Sequence, residues 1–146
     1  MIDLKVQILG LKDVEEALIT AGPKLAKRSL YKALKAGSDV FVQRAKDRAP
    51  VLMEEMPERR PNELRDAIAS QITMSRKQES GIARTGIKHD QPNVQESPAA
   101  YGLFVEYGSV HNLAKPYMRP AWDEGKEEAA RVFTEEIRRG VESLSR

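Results

Sequence analysis

From Lys24 to Arg48 the sequence runs without a proline, bracketed by Gly22 and Pro23 on one side and by Ala49 and Pro50 on the other. Leu30, Ala33, Leu34, Gly37, Phe41 and Ala45 recur at helical spacing along one side of this stretch, while Arg28, Lys32, Lys35 and Lys46 fall on the other. A proline is well placed in the first turn of a helix, where its missing N–H is not needed. The residue before a proline is driven out of helical conformation, so both ends are written into the sequence. The pattern predicts one long helix with a core face and a basic face.

Charge is distributed unevenly around that helix. Residues 23–48 carry eight Lys or Arg against two Asp, a balance of +6, whereas residues 121–146 carry five against seven, a balance of −2. The whole chain is close to neutral at +2. A basic face of this kind reads as a solvated surface or as one that contacts phosphates, and the residues leave both open. With 146 residues and 40% hydrophobic content the chain is expected to form a single domain over 1–146 with an ordinary core. No run approaches the length of a membrane-spanning helix, and the start MIDLKVQILG lacks the charged and long apolar regions of a signal peptide. The expectation is a soluble protein made in a cytoplasm, with no membrane partner. Without cysteine there are no disulfides, thiolate metal sites or cysteine nucleophiles.

The other elements follow from local pattern. Residues Asp3 to Ile8 alternate polar and apolar, predicting a strand with Leu4, Val6 and Ile8 on one face, and Lys12 to Thr20 reads as a short helix. After Pro50 the stretch VLMEEMPERRPNE has no periodicity, so residues 51–62 are expected to be a loop that is mobile in the isolated protein and orders on assembly. Leu64 to Ser75 begins with a helical turn and passes into the alternation Ile68, Ser70, Ile72, Met74. Arg76 to Gly81 supplies a turn and Ile82 to Ile87 a return strand, which together make a hairpin. A polar linker, Lys88 to Glu96, leads to Ser97 and Pro98, an N-cap and first helical position for a helix over Ala99 to Tyr107 that Gly108 ends. Tyr101 and Val105 share one face of it and Leu103 and Tyr107 another. Arg119 to Ser145 predicts a last helix with Pro120 in its first turn and a core stripe of Trp122, Ala129, Phe133, Ile137, Val141 and Leu144. The expected class is α+β: a small antiparallel sheet packed against the long helix of the N-terminal half and the C-terminal helix.

A search for chemistry is negative. His89 and His111 lie in expected loops without a second ligand at metal spacing, and there is no HExxH, P-loop, GxGxxG or GxSxG pattern. The carboxylates Glu54, Glu55 and Glu58 sit in a polar loop and no acid–base pair can be singled out. Neither catalysis nor a cofactor is expected. A small enzyme of unknown class would need a clustered polar pocket that the sequence does not announce.

The ordered segments AKDRAP, LRDAIAS, YGLFVEYGS and KPYMRPAW, the last leading into an acidic helix, are similar to segments of a bacteriophage tail-component family. The chain from about residue 24 onward resembles that family, which is typified by a neck protein of phage Hong Kong 97. Two departures stand out: the long VLMEEMPERRPNE before Leu64 and Arg65, where the family places Thr-Gly soon after Ala-Pro, and Ser109 where the family has Thr. The resemblance implies a structural virion protein, assembled in the bacterial host cytoplasm. It would join head to tail, or complete the tail end, as part of a ring at the neck. The implied partners are further copies of the chain, the head–tail connector, the tail terminator or tail tube proteins, and passing DNA without sequence preference.

For such a role Tyr101, Tyr107, Tyr117 and Trp122 offer large area at low entropy cost, and Pro116 and Pro120 fix the chain direction beside Gly108. Against this, Phe104, Val105 and Trp122 read as core by their helical spacing. Glu106 could form a charge-assisted pair with Arg119, contact a neighbouring subunit, or cap backbone amides in the turn from Gly108 to Asn112. The candidate assembly residues are therefore Tyr101, Glu106, Tyr107, Gly108, Pro116, Tyr117, Arg119 and Pro120. The alternative function is a non-enzymatic nucleic-acid-binding module that uses Arg28, Lys32, Lys35 and Lys46 of the basic helix 24–48.

Overall fold

A computed structural model describes residues 16, 19–20, 22–51, 60–75, 80–88 and 97–143. The elements in chain order are α1 (Pro23–Arg48), α2 (Glu63–Ala67), β1 (Ile68–Met74), β2 (Gly81–Ile87), α3 (Pro98–Tyr107) and α4 (Met118–Glu142). The α+β expectation holds: a two-stranded antiparallel sheet accompanies a long helix and a C-terminal helix. The strand expected at Asp3 to Ile8 and most of the loop at 51–62 lie outside the described residues. Of the expected helix over Lys12 to Thr20, Glu16, Ile19 and Thr20 are helical.

The long helix α1 stands between two neighbours. On one side α4 runs antiparallel to it: Gly37 faces Ala129 and Phe133, Gly125 faces Phe41 and Arg44, and Ser29 faces Gly140. Small residues at each of these levels let two long helices approach closely, and Phe41 fills the remaining space by packing on Trp122 with ring centroids 4.7 Å apart. On the other side lies the hairpin. Its register, Ile68 opposite Ile87 through Met74 opposite Gly81, puts Ile68, Ser70, Ile72 and Met74 on the face turned to α1, where Gly81 lies against Leu34. Alternation in β1 thus gives the correct face, while β2 begins one residue earlier than expected, because Gly81 pairs with Met74.

Where α1 ends, α2, β1 and the start of α4 converge. Ala45, Ala49, Leu64, Ile68, Tyr117 and Ala121 form the core there, with Val42, Ile87, Tyr101, Val105 and Met118 packed against it. Each large apolar side chain so buried contributes on the order of 1.5–3 kcal/mol. Ser97 is the N-cap of α3 and Pro98 its first residue, as expected, although the Ser97 side chain makes no capping bond; the residue is buried and its carbonyl accepts from Ala100 and Tyr101. The last helix starts at Met118, a residue earlier than expected, and closes at Glu142, with Leu144 of its expected stripe outside the described residues.

The charge asymmetry has a structural account. Arg44 donates to Glu128 at 2.5 Å, Arg48 pairs with Glu124, and Arg44 also lies 3.8 Å from Glu124, so the end of the basic helix lies along the acidic start of α4. The hydrogen bond from Arg44 holds the Glu128 carboxyl below its ordinary value.

The close helix contact makes a prediction. A Cβ at Gly37 would sit 3.2 Å from the Ala129 carbonyl oxygen and 3.4 Å from Phe133 Cβ. Gly37→Ala is expected to be near neutral in urea unfolding, since a helix-propensity gain of about 1 kcal/mol offsets the push. Gly37→Leu should destabilise by roughly 1–3 kcal/mol through overpacking. Equal midpoints for the two variants would contradict the close approach.

Candidate functional site

The segment from α3 to α4 is built around one buried carboxylate. Gly108 ends α3 at φ 81°, a conformation that favours glycine, and a Cβ there would also meet the Ala114 nitrogen at 2.9 Å. A turn closed by Ser109 N–H on the Asn112 carbonyl follows, and Lys115 N–H then bonds the Val105 carbonyl at 2.7 Å. The chain thereby doubles back along the end of α3. This return brings the first turn of α4 onto Glu106, which is 4% exposed.

Glu106 satisfies that turn. Its Oε2 accepts from the amides of Tyr117 (2.7 Å) and Met118 (2.9 Å), and its Oε1 accepts from the Arg119 amide (3.1 Å) and Arg119 Nε (3.2 Å). Tyr117, the N-cap, makes no side-chain cap, and Pro120 has no N–H to satisfy. A glutamate eleven residues upstream therefore does what a local Ser or Asp usually does, and its charge sits at the positive end of the α4 dipole. Of the readings open for Glu106, the pair with Arg119 forms, and the amides it caps are those of α4 rather than of the 108–112 turn. Burial pushes its pKa up, but the amides of Met118, Tyr117 and Arg119 and the Arg119 guanidinium outweigh that, and the net shift is downward.

Arg119 links this buried group to the surface. With its Nε on Glu106, its guanidinium lies over the Tyr107 ring, 4.9 Å from the centroid. Tyr107 itself is 60% exposed, and beside it on the same arc of α3 are Leu103 and Phe104, at 55% and 59%. Val110 and Leu113 in the return loop are more exposed still, at 96% and 91%. The opposite arc, with Gly102 closed in by Leu64 and the Tyr117 hydroxyl, packs inward. A helix that is apolar all round is normally buried all round. Here one arc is left to water, with no exposed charge between Ser97 and Ala114.

The sequence-derived candidates fall into distinct places. Tyr107, Arg119 and Pro116 are exposed, Tyr101, Gly108 and Pro120 are half-buried, and Glu106 and Tyr117 are buried. Tyr117 is 1% exposed with its hydroxyl directed at the Gly102 carbonyl, so it serves the core and presents no side chain to a partner. Burial, the Glu106 charge and Tyr101 raise its pKa. Phe104, expected in the core, is instead on the surface, because the inward arc of α3 is used by Tyr101, Gly102 and Val105. Leu103, Val110 and Leu113 are not among the sequence-derived candidates; the absence of exposed charge over the segment is the signal that could have found them. On the basic helix, Arg28, Lys32 and Lys35 are exposed, Lys35 pairs with Asp39, and Lys46 is half-buried. Among the described residues no group of acidic or histidine side chains could hold a metal ion, and no helix is long and apolar enough to cross a membrane.

Two predictions concern Glu106. Glu106→Ala leaves three amides of α4 without their acceptor, and we expect a stability loss of roughly 2–5 kcal/mol by urea denaturation; a loss under about 0.5 kcal/mol would contradict the capping role. Because its folded pKa lies below the ordinary 4.5, the stabilisation is fully present above that value and is lost as pH falls through the folded pKa. The stability gap between wild type and Glu106→Gln should therefore stay constant from neutral pH down to the ordinary carboxylate range and close below it.

No curated protein and no solved structure matches the chain. A family model described as "Bacteriophage HK97-gp10, putative tail-component" does match, over residues 12–108. The match takes in α1, the hairpin and α3 up to Gly108, and leaves KPYMRPAW and α4 beyond it. It spans more than half of the chain, which therefore belongs to the HK97-gp10-like family of phage tail components.

Proposed function

We propose that this chain is a structural virion protein of a tailed phage or prophage that joins head to tail, or completes the tail end, as one subunit of a ring at the neck. The observation that carries the reading is the apolar arc Leu103, Phe104 and Tyr107, exposed in the single chain, with Tyr107 under the Arg119 guanidinium that the buried Glu106 anchors. A monomer gains nothing from keeping such a surface in water, whereas a subunit between like copies and two unlike partners needs apolar and aromatic anchors on a fixed backbone. Membership of a phage tail-component family supplies the setting. The partners in this reading are neighbouring copies, the connector on the head side and the terminator or tube proteins on the tail side. The role is mechanical and requires no catalytic group.

Deletion of the gene tests the proposal. The expected result is DNA-filled heads and free tails that do not join, restored by the wild-type gene and not by a Phe104→Asp, Tyr107→Asp double variant whose thermal unfolding matches wild type. The chain should also be detectable by immunoblot in purified particles. Infectious particles that form without it would overturn the reading.

A further inference from the structure

A subunit that repeats around a closed ring needs two different surfaces, one for each neighbour, because a head-to-tail contact never brings a patch onto itself. The aromatic arc of α3 is one such surface. The outward face of the hairpin has the form of the other. Register places Ala69 opposite Gly86, Gln71 opposite Arg84 and Thr73 opposite Ile82 on the face turned away from α1. Gln71 and Thr73 are exposed, Ile82 is 43% exposed, and a Cβ built on Gly86 would meet nothing within 4 Å. Beside Ala69, Gly86 therefore leaves a shallow notch in a flat face.

Resting on the ring reading above, we propose that the aromatic arc of α3 in one copy docks on the outward face of the hairpin in a second copy of this chain, with Phe104 or Tyr107 over the Ala69–Gly86 notch. Three observations favour a second copy as the occupant. Leu103, Phe104, Tyr107, Val110 and Leu113 are each more than half exposed within eleven residues of chain. Large apolar side chains concentrated in this way mark a contact surface rather than the scattered exposure of an ordinary monomer. Both surfaces are also poor in charge: the one charged residue between Ser97 and Ala114, Glu106, is buried, leaving Arg119 over Tyr107 at the rim of the arc, and Arg84 is the single charged residue in the fourteen positions of the hairpin strands, in a chain that is 32% charged. Finally, aromatic side chains project from the helix, whereas the outward face of the sheet has open space above Gly86 beside Ala69.

The absence of cysteine permits a direct test. A chain carrying both Phe104→Cys and Gly86→Cys is supplied to the phage that encodes it, and purified particles are treated with a short bismaleimide. Head-to-tail docking predicts a ladder of covalent multimers of this chain on a denaturing gel, absent when either cysteine is present alone. Particles that contain the chain but give no ladder, a dimer from Phe104→Cys alone, or a cross-link to a different protein would each overturn the docking mode while leaving the virion role standing. Particles that lack wild-type chain would overturn the neck reading and this inference with it. As a second arm, Gly86→Lys meets no steric obstacle within one copy, so its thermal unfolding should match wild type while its incorporation into particles falls at least tenfold. Incorporation of this variant at the wild-type level would also overturn the proposal.

Discussion

The junction between α3 and α4 depends on the carboxylate of Glu106. It lies at the end of one helix and accepts the first amides of the next, so a single side chain ties the end of α3 to the start of α4. A buried charge is expensive unless it is fully hydrogen-bonded, and here three amides and a guanidinium meet its two oxygens. The arrangement also needs Gly108, because only a residue that accepts a positive φ without a side chain allows the return loop to pass so close. Turn, carboxylate and helix start are one mechanical unit.

That unit sets where α4 begins, and the helix pair sets where it goes. Gly37, Gly125 and Gly140 at successive levels keep the axes close, and the Phe41 and Trp122 rings pack at a tilt of 31° across the contact between α1 and α4. The Arg44 and Arg48 pairs with Glu124 and Glu128 lie at the rim of this contact. Exposed pairs of this kind add specificity of alignment more than stability. The basic excess of α1 and the acidic excess of α4 could suggest a polyanion partner when read in sequence. In the fold, some of each excess is spent on the other, across one intramolecular contact.

The same geometry explains how an aromatic segment can be both core and surface. The inward arc of α3 closes on Leu64 and Tyr117, which buries Gly102 and leaves no space for the outer arc to turn in. Leu103, Phe104 and Tyr107 are therefore held outward on a helix that is itself well packed. Arg119 adds a planar cation over Tyr107, tied at its other edge to Glu106. Preorganised aromatic surface of this kind loses little further entropy on docking.

Much of the fold was legible in the sequence because its signals are local. The 3.6-residue period and flanking prolines defined α1, the alternation through Ile68, Ser70, Ile72 and Met74 defined the inner face of β1, and Ser97-Pro98 and Gly108 bracketed α3 within one residue. The motifs around YGLFVEYGS were enough to point to the family. Which of two apolar arcs of α3 would be covered was not local. Phe104 and Tyr101 look alike in a helical wheel, and only the placement of α2 and α4 distinguishes them. Likewise Glu106 carried no sign in sequence that its partners were amides eleven to thirteen residues away, since capping by a distant carboxylate depends on the path of the loop between them. The sequence by itself determined the elements, their order and the family; the tertiary structure alone decided which aromatic residues stabilise the chain and which are left exposed, because burial is a property of the packing around a residue and not of its period.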